Sequence, residues 1–152
     1  MKAKLLYSGF PKTYAVVFDA GDEVLSGFKE FAREHDLTAS QISGIGAFSD
    51  AVLGYFDWER KDYKRIPVQD QVEVVSLLGD VTRGADGPQV HIHAVLASSN
   101  ARAFGGHLLE AHVRPTLELI VVESPSYLRR RIDPETGLPL IDLEVRHGAS
   151  HR

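Results

Sequence analysis

The sequence predicts one domain of the α/β class, α+β in type, in which a central, mostly antiparallel sheet is flanked by helices. Three observations carry this prediction. The segment 23–34 places its apolar residues at helical spacing. Six later runs rich in Val, Ile, Leu, Tyr and Phe alternate with Gly, Asp and Pro, the texture of short strands and turns. Finally, 152 residues with 43% hydrophobic and 25% charged content match one ordinary globular domain, able to bury roughly 70% of its unfolded surface.

In chain order, Tyr14 to Phe18 is β-branched and aromatic enough for a strand, and Asp19-Ala20-Gly21-Asp22 supplies turn chemistry with Asp22 as the expected N-cap. The helix follows, with Val24, Leu25, Phe28, Phe31 and Ala32 on one stripe and Lys29, Glu30, Arg33 and Glu34 opposite. The expected strands beyond it are Gln41 to Ile45, Ala51 to Phe56, Tyr63 to Val68, Val72 to Leu78, Val90 to Ala97 and Thr116 to Val122. The segment Arg83 to Pro88 reads as a hairpin loop, and Ser99 to Phe104 as a short helix or an irregular connection. No internal repeat or composition shift divides the chain, so the domain is expected to span residues 1–145, with 146–152 a disordered tail.

Cysteine is absent, which excludes disulfides, zinc–thiolate sites, iron–sulfur clusters and a cysteine nucleophile. Any metal must be held by nitrogen or oxygen. No secretory leader and no membrane-length apolar run is read from the sequence, so a soluble, cytoplasmic protein without membrane contact is expected. The net charge of −4 argues against nucleic acid as the primary ligand, because phosphate binding needs a dominant basic patch. Arg129-Arg130-Arg131, next to Asp133 and Glu135, reads as a solvated, partly paired surface.

Chemistry concentrates in Val90-His91-Ile92-His93-Ala94. On a strand, His91 and His93 point to one face and Val90, Ile92, Ala94 and Leu96 to the other. Two imidazoles about 6.6 Å apart at the backbone can converge on one ion. Gly105-Gly106-His107 offers a third imidazole, presented by a glycine turn; the alternative is an ordinary turn with His107 a loop residue. Three neutral imidazoles suit a divalent transition metal, with zinc the expected ion, and leave a coordination position open. Glu110 and His112 follow closely, as a further ligand, an outer hydrogen-bond partner or simply surface residues.

These residues belong to blocks that resemble a known family. Ile42-Ser43-Gly44-Ile45-Gly46-Ala47, Leu53-Gly54-Tyr55-Phe56-Asp57, Val72 through Asp80, His91-Ile92-His93-Ala94 and Gly105 through Leu109 are similar, in this order, to the plants-and-prokaryotes-conserved (PPC) domain, of a stand-alone prokaryotic type. The resemblance implies a compact α/β fold, a homotrimer, and a metal held by His91, His93 and His107. It also singles out Glu73, which matches a position linked in plant members to partner contacts; a polar residue on an exposed strand face is the alternative. Plant members add an AT-hook peptide, but no Arg-Gly-Arg-Pro core occurs here, and Arg83-Gly84 runs into Ala85-Asp86. The family's association with DNA therefore does not extend to tight, specific DNA binding by this chain.

Two functions follow as expectations. One is a metal-binding homotrimeric module, regulatory or ligand-binding, with a small molecule or a protein as ligand and an association with transcription by family analogy. The other is a metal-dependent enzyme in which a three-histidine ion activates water toward a small-molecule substrate. For the second, the candidate acid–base residues are Glu73, Tyr55 and Glu110.

Overall fold

The structure, a computed structural model, describes residues 1–7, 9–125 and 127–143. The segment 146–152, expected as a tail, lies outside the described residues. Alternation governs β2 (Lys12–Asp19), where Tyr14, Val16 and Phe18 are buried between less buried neighbours. The turn that follows uses Gly21 at φ +90°. The cap of α1 (Val24–Glu34) falls one residue later than expected: Glu23, not Asp22, accepts hydrogen bonds from the Leu25 and Ser26 amides at 3.2 and 2.7 Å. The reason is that Asp22 is already engaged. Its carboxylate accepts from the Asp19 amide and its carbonyl from the Val113 amide, so the backbone stays sheet-like until Glu23. The apolar stripe is the one expected, with Val24, Phe28, Phe31 and Ala32 buried.

Among the described residues α1 is the one α-helix, so the sheet is not flanked by several helices. Ser99 to Phe104 is not helical. Side-chain hydrogen bonds from Ser98 Oγ and the Arg102 amide to Asn100 Oδ1 close a tight turn, leaving too few residues for a helix. The remaining elements are β1 (Lys2–Tyr7), β3 (Ala39–Asp57), β4 (Asp62–Val68), β5 (Val72–Gly84), β6 (Gly87–Ala97), β7 (Ala103–Glu123), β8 (Arg129–Ile132) and β9 (Pro139–Asp142).

Several expected runs are parts of longer strands. Gln41 to Ile45 and Ala51 to Phe56 both lie in β3, which stays continuous because register shifts along it let it bend without ending. Its first half pairs with β5 and with the end of β7; its second half pairs with β4 and with the start of β7. Gly46 sits where a Cβ would run into the Thr116 carbonyl and the Leu117 Cα of β7, so this crossing requires glycine. β6 pairs antiparallel with β5 on one side and β7 on the other, so β3, β5, β6 and β7 form a closed circuit of hydrogen-bonded neighbours. β1 and β2 extend the sheet from β7, while the β8–β9 hairpin joins through a parallel bridge from Arg129 to Arg83.

One continuous core ties α1 to the sheet, with Phe18, Phe28, Phe31, Phe48, Leu77, Ile92 and Leu117 fully buried. The other face of the β3–β5–β7 region carries apolar side chains without cover. Ile45, Val75 and Leu78 are 62%, 54% and 56% exposed, with Ile120 beside them. No helix among the described residues is long and apolar enough to cross a membrane.

Candidate metal centre

On β6 the expected alternation holds: Ile92, Ala94 and Leu96 are buried, while His91 and His93 face outward. His107 arrives from β7, directly opposite His93 in the β6–β7 ladder. The route differs from the expected glycine turn, because Gly105 and Gly106 are strand residues. A Cβ at Gly105 would meet the Ala94 carbonyl at 2.5 Å and one at Gly106 the Gly54 carbonyl at 2.8 Å. These glycines let β7 press against its neighbours, and that contact brings the third imidazole to the pair.

The three rings form a triangle, with centroids 5.1 Å apart for His91–His93 and His91–His107 and 5.2 Å for His93–His107. One ligand atom from each lies within 4.8 Å of the others. His107 Nδ1 is buried and has no hydrogen-bond partner among the described residues, an arrangement that native interiors avoid unless something else occupies the lone pair or proton. Burial, with smaller contributions from His91, His93 and Arg130, pushes the His107 pKa down to about 4. Burial, then His91, also lowers that of His93. His93 and His107 are therefore held in the neutral form that metals bind. On chemistry and geometry this donor set fits a divalent transition metal.

Support comes from residues the sequence reading did not single out. Asp80 pairs with His91 across β5 and β6, its Oδ2 3.5 Å from His91 Nδ1. Burial pushes the Asp80 carboxyl up, but hydrogen bonding to His91 and Arg130 outweighs this and holds it below the usual carboxylate range. Arg130 corrects the reading of the arginine run as solvated surface. Arg131 is exposed and lies 3.4 Å from Asp142, but the Arg130 side chain is only 8% exposed. It donates to Asp80 Oδ1 at 2.6 Å, to Thr82 Oγ1 at 3.1 Å and to the Pro139 carbonyl at 2.8 Å, with Nη2 3.2 Å from His91 Nδ1. Tyr63 of β4 stacks on His107 at 4.8 Å. The Asp80 position was recoverable: a two-residue loop at Ala85 and Asp86 fixes the β5–β6 register and puts Asp80 opposite His91.

The other candidates lie elsewhere. Tyr55 is 64% exposed and pairs across the sheet with Lys64. Glu110 is 3.6 Å from Arg65, and His112 is 2.7 Å from Asp50, neither joining the histidine triangle. Glu73 is exposed on β5 beside Ile45, Val75 and Glu118, at the edge of the uncovered apolar face. A pocket of about 430 Å³ opens beside the triangle with His91, His107, Tyr63 and Arg130 in its wall, and no carboxylate among the described residues lines it.

One helix, a closed circuit of strands and three converging histidines define a small β-rich α+β fold with a candidate metal site. The chain belongs to the Plants and Prokaryotes Conserved domain family, whose model matches residues 6–125. It is similar to a metal-containing protein from Archaeoglobus fulgidus, with 33% identity, TM-score 0.81, and 91% of this chain and 98% of that one covered. It is also similar to a protein from Bacteroides thetaiotaomicron described as a candidate DNA-binding protein, with 25% identity, TM-score 0.86, and 93% and 98% covered. Among curated sequences it matches the bifunctional protein GlmU of Synechococcus sp. (strain JA-3-3Ab), 29% identical over 142 residues. That match covers 91% of this chain but 22% of the relative, so the chain spans about a fifth of the length of the curated relatives it matches.

Proposed function

We propose that this chain is a domain, residues 1–145, that binds one divalent transition metal ion per subunit through His91, His93 and His107 and serves as a regulatory or ligand-binding module of the cytoplasm. The observation that carries the reading is the triangle of imidazoles with a buried His107 nitrogen that has no partner among the described residues. A metal-containing structural relative supports it. Zinc is the favoured ion because it accepts three histidines without a preferred d-electron geometry. Such an ion, when bound, supplies Lewis acidity and a site for an anionic ligand atom. Among the described residues no carboxylate lines the pocket beside it to act as general base, and Glu73, Tyr55 and Glu110 lie away from it, which favours ligand binding over hydrolysis. Elemental analysis of protein purified without an affinity tag tests the reading: one equivalent of metal per chain is expected, and its absence after incubation with zinc overturns it.

Asp80 belongs to this reading as the carboxylate that orients His91. With a metal on the other ring nitrogen, the proton of His91 would sit on Nδ1, where Asp80 Oδ2 at 3.5 Å is its acceptor, since Arg130 Nη2 at 3.2 Å can only donate. Asp80→Asn is expected to weaken zinc binding by about 10–100-fold, measured by competition with a chromophoric chelator. Unchanged affinity would remove Asp80 from the site.

Acid pH acts in a direction set by the depressed histidines. The unfolded chain takes up protons near the ordinary histidine value of 6.5, whereas folded His107 resists down to about 4. Metal-free protein therefore keeps this contribution to stability above 6.5 and loses it progressively as pH falls toward 4. Proton competition with metal sets in lower than for a free imidazole. Melting temperatures of chelator-treated protein across this interval should fall with pH, less steeply in His107→Gln.

We further propose assembly as a homotrimer through the uncovered face of Ile45, Val75, Leu78 and Ile120, an apolar exposure of the kind that subunit contacts cover. Glu73 sits at its edge, suited to a partner contact. Sedimentation equilibrium should give three times the chain mass at micromolar concentration; a monomer would overturn this. Tight, sequence-specific DNA binding is not part of the reading, since a net charge of −4 without an AT-hook offers too little positive charge to displace counterions.

A further inference from the structure

The pocket beside the histidines differs in charge from the molecule around it. The chain is acidic overall, yet among the described residues the Lys and Arg side chains lining this pocket, Lys29 and Arg130, face no lining carboxylate. Arg130 shares its charge with Asp80, which does not line the cavity. Lys29, expected on the wet face of α1, stands at the pocket wall with no ion pair or hydrogen bond among the described residues. The remaining wall includes Leu25, Val90, Leu138 and Leu140. A volume of about 430 Å³ with apolar walls and a few convergent polar groups is the form small-molecule sites take. Lys29 is exposed, so its ammonium stands at the mouth of this pocket as a cation available to an anion.

Resting on the ligand-binding reading of the same site, we propose that the pocket binds a small organic carboxylate with an apolar body, its head drawn to Lys29 and Arg130 and its body against Leu25, Val90, Leu138 and Leu140. Part of that wall comes from the β8–β9 hairpin, which lies beyond the family match at residues 6–125.

The test is an NMR titration of the full chain, metal-free and zinc-loaded, with hexanoate, hexanamide and inorganic phosphate, following the amides of Gln89 and Leu140. Hexanoate is expected to bind at least about tenfold more tightly than hexanamide, which lacks the charge, and more tightly than phosphate, which lacks the apolar body. Lys29→Gln should weaken hexanoate at least about tenfold in both forms without changing the melting temperature. Lys4→Gln, at an exposed position on β1, should bind as wild type. No hexanoate binding in either form, equal binding of hexanamide, or full retention in Lys29→Gln would overturn the proposal. Metal content is measured separately, so a failure here with one bound metal per chain leaves the metal reading standing, and loss of metal with Lys29-dependent binding intact does the reverse.

Discussion

Replacing His93 by alanine is expected to leave the protein folded and to weaken metal binding by more than the about 100-fold that loss of an outer hydrogen-bond partner costs. His93 is the most exposed of the three histidines, so removing its ring opens no cavity. Its neighbours Ile92 and Ala94 stay buried on the opposite face of β6, and its backbone hydrogen bonds within the sheet do not depend on the side chain. The folding cost should stay within the roughly 1 kcal/mol span of strand propensities. The metal, in contrast, loses one of three nitrogens. His112→Ala is the control: it deletes an imidazole from the same strand as His107, but one paired with Asp50 at 2.7 Å outside the triangle. Circular dichroism should match wild type in both variants, with metal content retained in His112→Ala and lost in His93→Ala after gel filtration. Wild-type metal content in His93→Ala would mean the ion sits elsewhere.

The parts of this site legible in the sequence are those written in local periodicity. Period-two alternation puts His91 and His93 on one face, and period 3.6 selects the buried stripe of α1. His107 was legible as a residue but not in its delivery, since Gly105 and Gly106 look the same in a turn and in a tightly crossed strand. Asp80 was not read, although hairpin register, a step between local and long-range information, would have placed it opposite His91. Arg130 and Lys29 did not follow from any local pattern. Arg130 turns inward because β8–β9 docks against β5, and Lys29 meets a pocket because that same hairpin lies across from α1. Both depend on where a distant segment lands. Ser99 to Phe104, read as a short helix or an irregular connection, is the latter for a related reason: the polar side chains of Ser98 and Asn100 complete a turn before helical spacing can matter.

Phe28→Ala tests whether α1 is held by the burial described above. Phe28 is fully buried, packed 5.7 Å from the Phe31 ring in the core that joins helix to sheet. Deleting its ring loses transfer free energy and leaves a space the surrounding Phe18, Phe31 and sheet residues cannot fill without shifting, a combined cost of about 3–5 kcal/mol. Against a total stability of about 5–15 kcal/mol this is a large fraction. At about 2–4 °C per kcal/mol for a chain of this size, the melting temperature should drop by about 6–20 °C. Phe28→Leu, which keeps most of the apolar volume, should drop less. The comparison must be made at one protein concentration and in metal-free buffer, because both assembly and bound metal raise apparent stability by mass action. The histidines stand on β6 and β7 and not on the helix, so the folded fraction of Phe28→Ala should still take up metal one to one. A melting shift under about 2 °C would mean that α1 contributes little to the core and that the fold is held by the β3–β5–β6–β7 circuit alone.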